Sequence, residues 1–120
     1  MLIVLPLPPK ILHPNGRTQN YRYRSAMVKQ ARGDARLATM AVRNRVKDKS
    51  KFEQATLRAT FYVRHHQSMD DDGLIGWCKA YRDGIADALG IDDKHITTLR
   101  PVLVNGDGNQ RVEIEIENAT

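Results

Sequence analysis

Residues 56–64 read Thr56-Leu57-Arg58-Ala59-Thr60-Phe61-Tyr62-Val63-Arg64. Leu57, Ala59, Phe61 and Val63 alternate with the polar or amphipathic residues between them, and a period of two puts one set on a buried face and the other toward solvent. A strand of this kind needs partner strands beside it and a layer over its apolar face. The flanking sequence supplies both. Upstream, Leu2 to Leu7 reads as a buried strand closed by Pro6, Pro8 and Pro9, and Pro9 to Gln19 has loop composition with a turn at Pro14, Asn15 and Gly16. From about Arg24 to Val46, Val28, Ala31, Ala35, Ala38 and Val42 recur at helical spacing, with Lys29, Arg32, Arg36 and Arg43 forming a basic ridge one position on.

Downstream, the spacing predicts a second helix from about Asp72 to Leu89. It buries Leu74, Trp77, Cys78, Tyr81, Ile85 and Ala88 and stops at Gly90, which tolerates the left-handed conformation. Ile96 to Val104 and Arg111 to Glu117 read as a terminal hairpin around Asn105-Gly106-Asp107-Gly108-Asn109. Pro101 cannot donate to a ladder, so the first of these strands lies at an edge or carries a bulge. Val112, Ile114 and Ile116 face inward in the second, leaving Glu113, Glu115 and Glu117 to solvent. The order β-α-β-α-β-β implies an α+β fold: a single domain over residues 1–120, with two helices packed on one mixed sheet.

The 120 residues carry a net charge of +5, unevenly spread. Residues 10 to 51 hold twelve Lys and Arg against Asp34 and Asp48, while the remainder is net negative. A basic arm beside an acidic centre suits an enzyme acting on a polyanion, although a charged helix face can also serve solubility alone. The single cysteine, Cys78, excludes an intrachain disulfide framework. His65 and His66 with it lack the spacing of a zinc site. The apolar run at the N-terminus is too short for a signal sequence or a membrane span, so a soluble cytoplasmic protein is expected.

The chemistry concentrates between residues 70 and 93. Asp72, Lys79 and Asp83 fall within roughly 20° of one line on a helix, with Gly76 beside it. Asp70 and Asp72 sit where a helix start favours negative charge, so capping competes with metal binding as their role. Lys79 has an ordinary alternative too, an ion pair with Asp83 one turn on. Asp92 and Asp93 follow the helix C-terminus, where the dipole disfavours anions. A helix of about 17 residues is roughly 25 Å long, so convergence of Asp93 with Asp70 and Asp72 requires a shorter helix and a return loop.

Asp70-Asp71-Asp72-Gly73-Leu74, Lys79, Asp83-Gly84-Ile85 and Gly90-Ile91-Asp92-Asp93 resemble the D-x-D-N-L, K, D-G/A-L, D-D pattern of the RusA family of Holliday-junction resolvases. Pro6, Pro8, Pro9, Leu12, Pro14, Asn15 and Arg17 are similar to the proline-rich loop of its phage-type members. The resemblance implies a magnesium-dependent endodeoxyribonuclease, with manganese as a substitute, that binds four-way DNA junctions as a homodimer and nicks two opposing strands. It implies Asp70, Asp72 and Asp93 as metal-binding carboxylates with Asp92 beside them, and Lys79 as the catalytic or phosphate-contacting lysine. Arg17, Arg22, Arg24, Lys29, Arg32, Arg36 and Lys79 are the expected DNA contacts, and Tyr21 and Tyr23 are placed either to touch unpaired bases or backbone or simply to form a surface turn. A nucleoid-associated protein of phage or prophage origin, with no membrane partner and no small-molecule cofactor, fits this picture. The pattern departs from the family at Gly73, where asparagine is usual, and at Met69, where a basic residue often precedes the first aspartate. A noncatalytic nucleic-acid-binding module and a nuclease of broader branched-DNA specificity remain the competing readings.

Overall fold

The computed structural model describes residues 1–14, 20–65 and 69–120. It is a single α+β domain with a mixed five-stranded sheet and three α-helices. The strands are β1 (Leu2–Leu5), β2 (Ala55–Val63), β3 (Ile96–Thr98), β4 (Val102–Asn105) and β5 (Arg111–Asn118). The helices are α1 (Tyr21–Arg45), α2 (Asp71–Trp77) and α3 (Lys79–Leu89). Among the described residues no helix is long and apolar enough to cross a membrane.

The alternation in residues 56–64 is realised in β2, the central strand. Ala55, Leu57, Ala59, Phe61 and Val63 are buried, while Arg58 is exposed and Thr56, Thr60 and Tyr62 are half-buried. Burying a side chain such as Phe61 contributes about 1.5–3 kcal/mol relative to leaving it in water. The core continues through Ile3 and Leu5 of β1, Val112, Ile114 and Ile116 of β5, and Trp77, Tyr81 and Ile85 of the helices. Trp77 stacks on Phe61 with ring centroids 5.7 Å apart, so the helix layer is keyed to the central strand.

The expected terminal hairpin does not form. β5 runs antiparallel between β1 and β2, whereas β3 and β4 both pair in parallel with the opposite edge of β2. Parallel strands need a crossover connection, and α2 with α3 supplies it between β2 and β3. The segment after β4 crosses the end of β2 instead of turning back on itself. Asp107 N–H donates to the Val63 carbonyl, and the Arg64 guanidinium donates to the Gly108 carbonyl. Pro101 acts as the sequence implied, interrupting residues 96–104 so that β3 and β4 are two short pieces of one edge.

The second helix is also not continuous. Cys78 separates α2 from α3, with φ −91° and ψ 0°, and its N–H still reaches the carbonyls of Leu74 and Ile75. Two glycines in seven residues, Gly73 and Gly76, weaken α2 by about 1 kcal/mol each relative to alanine. Gly90 ends α3 as expected, at φ 71°.

α1 begins at an Asn20 cap, whose side chain accepts from Tyr23 N–H at 2.9 Å. Its stripe packs on α3: Ala31, Ala35 and Thr39 are buried, while Val28, Ala38 and Val42 are partly so. The helices cross at Gly84, where a Cβ would lie 2.1 Å from the Arg32 carbonyl oxygen.

Candidate functional site

The proline-rich segment is held against α2 and α3 by its own carbonyls. Proline has no N–H to join a ladder, and buried carbonyls still need donors. The Trp77 indole donates to the Pro9 carbonyl at 3.0 Å, and the Tyr81 hydroxyl donates to the Pro6 carbonyl at 2.8 Å. Burial pushes the Tyr81 hydroxyl up to about 12 and the Cys78 thiol likewise to about 12, leaving both as uncharged packing groups. Pro14 then lies against Gly76, close enough that a Cβ on Gly76 would sit 2.6 Å from the Pro14 ring. Arg24 donates to the Ile11 carbonyl, tying α1 to the same segment. The expected contact Arg17, the turn residues Asn15 and Gly16, and His66 lie outside the described residues.

Asp70 caps α2. Its Oδ1 accepts from Gly73 N–H at 2.7 Å, in the place where exposed backbone donors favour a carboxylate. The glycine that departs from the family pattern has a local consequence here, because a Cβ at Gly73 would meet that same oxygen at 2.8 Å. Met69, the other departure, takes a contact from His13 Nε2 at 3.0 Å. Asp72 is exposed in the first turn of α2 and makes no ion pair among the described residues. Lys79 pairs with Asp83 at 3.1 Å, the ordinary alternative for that lysine. The other Asp83 oxygen, Oδ1, is buried with no hydrogen-bond partner among the described residues.

Asp92 and Asp93 are accommodated in the turn after α3. Asp92 accepts from Lys94 N–H at 3.1 Å and so caps the 3-10 turn Asp93–His95. That backbone hydrogen bond, and then the Asp93 carboxyl beside it, lowers the Asp92 pKa below the usual carboxylate value. Asp93 is held by Arg82 Nη2 at 3.3 Å, while Arg82 Nη1 bonds the Thr98 hydroxyl. Arg82 is ten residues beyond Asp72, about 15 Å of helical rise. The carboxylates gathered with Asp93 are Asp83, Asp87 and Asp92, around an open cleft of about 350 Å³ with Arg32 at its rim.

Among the described residues, no three His, Cys, Asp or Glu side chains are grouped so as to hold a metal ion. Asp70, Asp72 and Asp93 therefore do not make a three-carboxylate cage within the subunit. Magnesium does not require one. It keeps several waters and usually takes one or two carboxylates together with substrate phosphate. The all-oxygen donors here, exposed or half-exposed, suit only that open mode.

Of the expected DNA contacts, Arg22, Lys29 and Arg36 are exposed on α1, beside Tyr21 and Tyr23 at 76% and 51% exposure. Arg32 is committed elsewhere: its Nε and Nη2 donate to both Asp87 oxygens at 2.6 and 2.8 Å, bridging α1 to α3. This clamp was not legible in advance because its partners are 55 residues apart. The hydrogen bond from Arg32 is the largest cause holding Asp87 below its ordinary 3.8. A carboxylate with a depressed folded pKa stabilises above its unfolded pKa, and that contribution is lost as pH falls through the folded value. The urea midpoint should therefore decline below about pH 3.8, and Asp87→Asn should flatten that acid limb. With Arg32 half exposed and Asp87 a third exposed, solvent screening keeps the effect small.

No family model matches the chain. It is 38% identical over 96 residues to an uncharacterized protein from Xylella fastidiosa (strain Temecula1). The match covers 80% of this chain and 62% of that protein, so the chain spans less than two thirds of its relative's length.

Proposed function

We propose that the chain is a metal-dependent endodeoxyribonuclease acting on branched DNA, with four-way junctions as its preferred substrate and a homodimer as its working form. The observation that carries this reading is the seating of Pro14 on Gly76, between Asp72 and Lys79 on the helical stripe. The end of the proline-rich segment and the acid-lysine face thus share one surface. Arg22, Lys29 and Arg36 on α1 supply a sequence-independent hold on phosphates, which makes affinity fall steeply with salt. Lys79, with its side chain 62% exposed, is free to leave Asp83 for a phosphate.

Asp70 and Asp72 at the start of α2 are the carboxylates we assign to a hydrated magnesium ion, with manganese as its natural replacement; Asp93, held by Arg82, is the third acid that the resemblance implies. When bound, such an ion supplies an activated water and charge stabilisation at the phosphate. A two-fold dimer presents two such sites to a roughly two-fold junction. Such an enzyme would act in the cytoplasm, at the nucleoid.

The noncatalytic alternative is favoured by the use of Asp70 as a helix cap and by the Lys79–Asp83 ion pair. The two readings separate in one assay, in which a mobile four-way junction and a linear duplex of equal length are incubated at one stated salt concentration, with and without magnesium. Paired nicks on the junction that require magnesium are expected. Tight junction binding with no cleavage in magnesium or manganese would leave the binding-module reading standing instead.

A further inference from the structure

A second cleft lies between the start of α2 and the β4 edge, open and about 500 Å³ in volume. Met69, Val102 and Leu103 give it apolar surface over the buried Leu74 and Pro101, and Arg58 and Arg100 stand on its lining with one acid, Asp71. Arg100 is 84% exposed and reaches Asp71 at 2.9 Å. Arg58 is exposed on β2, with Glu115 its cross-strand neighbour, and its side chain makes no hydrogen bond or ion pair among the described residues. The cleft is therefore apolar within and net positive at its lining, at a volume typical of small-molecule sites.

That combination matches one nucleotide: a flat base against the apolar wall and a phosphate held by guanidinium groups, whose planar donors fit phosphate oxygens. A base still paired and stacked in a duplex cannot enter a recess of this size. We infer that the Arg58–Arg100 cleft takes one unpaired nucleotide of the DNA strand. Asp71, which lines it, lies between Asp70 and Asp72, so a strand anchored there runs beside those carboxylates. This inference rests on the branched-DNA reading above, and it gives a structural reason for preferring junctions and forks over intact duplex.

The test measures fluorescence anisotropy of a forked duplex with a single-stranded thymidine arm and of a blunt duplex, over a series of salt concentrations. Wild type should prefer the fork. The Arg58→Ala/Arg100→Ala variant should lose about tenfold in fork affinity, with a salt slope shallower by about 0.7 for the one single-strand phosphate released. Its blunt-duplex affinity should hold. Val102→Asp, which places a carboxylate in the wall and leaves both arginines in place, should reproduce the fork-specific loss. Equal losses on fork and duplex, or no loss on either, would overturn the inference while leaving the nuclease reading intact. Binding of free thymidine monophosphate by wild type, with no change in fork affinity in the variants, would overturn it in favour of a free-nucleotide site. A wild-type protein that binds no DNA would remove both.

Discussion

Replacing Gly84 by alanine is expected to destabilise the fold by about 3 kcal/mol, the upper end of the usual cost of overpacking a core, and to lower the melting temperature by about 10 °C. The reason is the helix crossing. The new Cβ would lie 2.1 Å from the Arg32 carbonyl oxygen, 2.9 Å from its carbon and 3.0 Å from the Ala35 Cβ. Two of those atoms are backbone in the middle of α1 and cannot rotate aside. α1 must lift away from α3, loosening buried Ala31 and Ala35 and stretching the Arg32–Asp87 clamp that spans the same crossing. Gly33→Ala is the control: nothing lies within 4 Å of its Cβ, so removing glycine from the helix interior should stabilise by about 0.5–1 kcal/mol. Thermal melts followed by circular dichroism check both signs. A Gly84→Ala protein melting with wild type would mean that the helices do not meet at this residue.

The elements that were legible in the sequence were those written in local periodicity. β2 announces itself through Leu57, Ala59, Phe61 and Val63, α1 through its alanine stripe, and the end of α3 through Gly90. The hairpin reading failed because pairing between strands is not local. Nothing in Arg111 to Glu117 says that its partners are β1 and β2, about fifty or more residues away, instead of the adjacent strand. The break at Cys78 was hidden for a different reason, since one residue at φ −91° leaves the 3.6-residue pattern almost in phase on both sides. At the site, the sequence located the acids but not their partners. By sequence Asp92 is an anion on the unfavourable end of a helix, whereas in the fold it caps the next turn. The pairs Arg82–Asp93, Arg32–Asp87 and Arg100–Asp71 each join different elements, and such pairs appear only when the fold is known.

If the chain is the nuclease proposed above, Asp72→Asn should abolish magnesium-dependent junction cleavage, by at least about a hundredfold, while junction binding is kept or strengthened. The change keeps shape and removes one negative charge. Asp72 is exposed and has no ion pair among the described residues, so the melting temperature should stay within about 2 °C of wild type. Tighter binding follows because the lost carboxylate no longer repels the DNA phosphates. Asp93→Asn gives the sharper comparison, because Asp93 has a structural partner in Arg82, whose Nε is already buried without a hydrogen bond among the described residues. If Asp93 serves only to neutralise Arg82, the variant should melt earlier and cleave at a rate proportional to its folded fraction. If Asp93 joins Asp72 around the ion, cleavage should fall as far as in Asp72→Asn at temperatures where the variant is fully folded. Both variants should then need a higher magnesium concentration for any residual activity, a shift that loss of folding alone does not produce. Unchanged cleavage by Asp72→Asn would remove the acidic face of α2 from the chemistry.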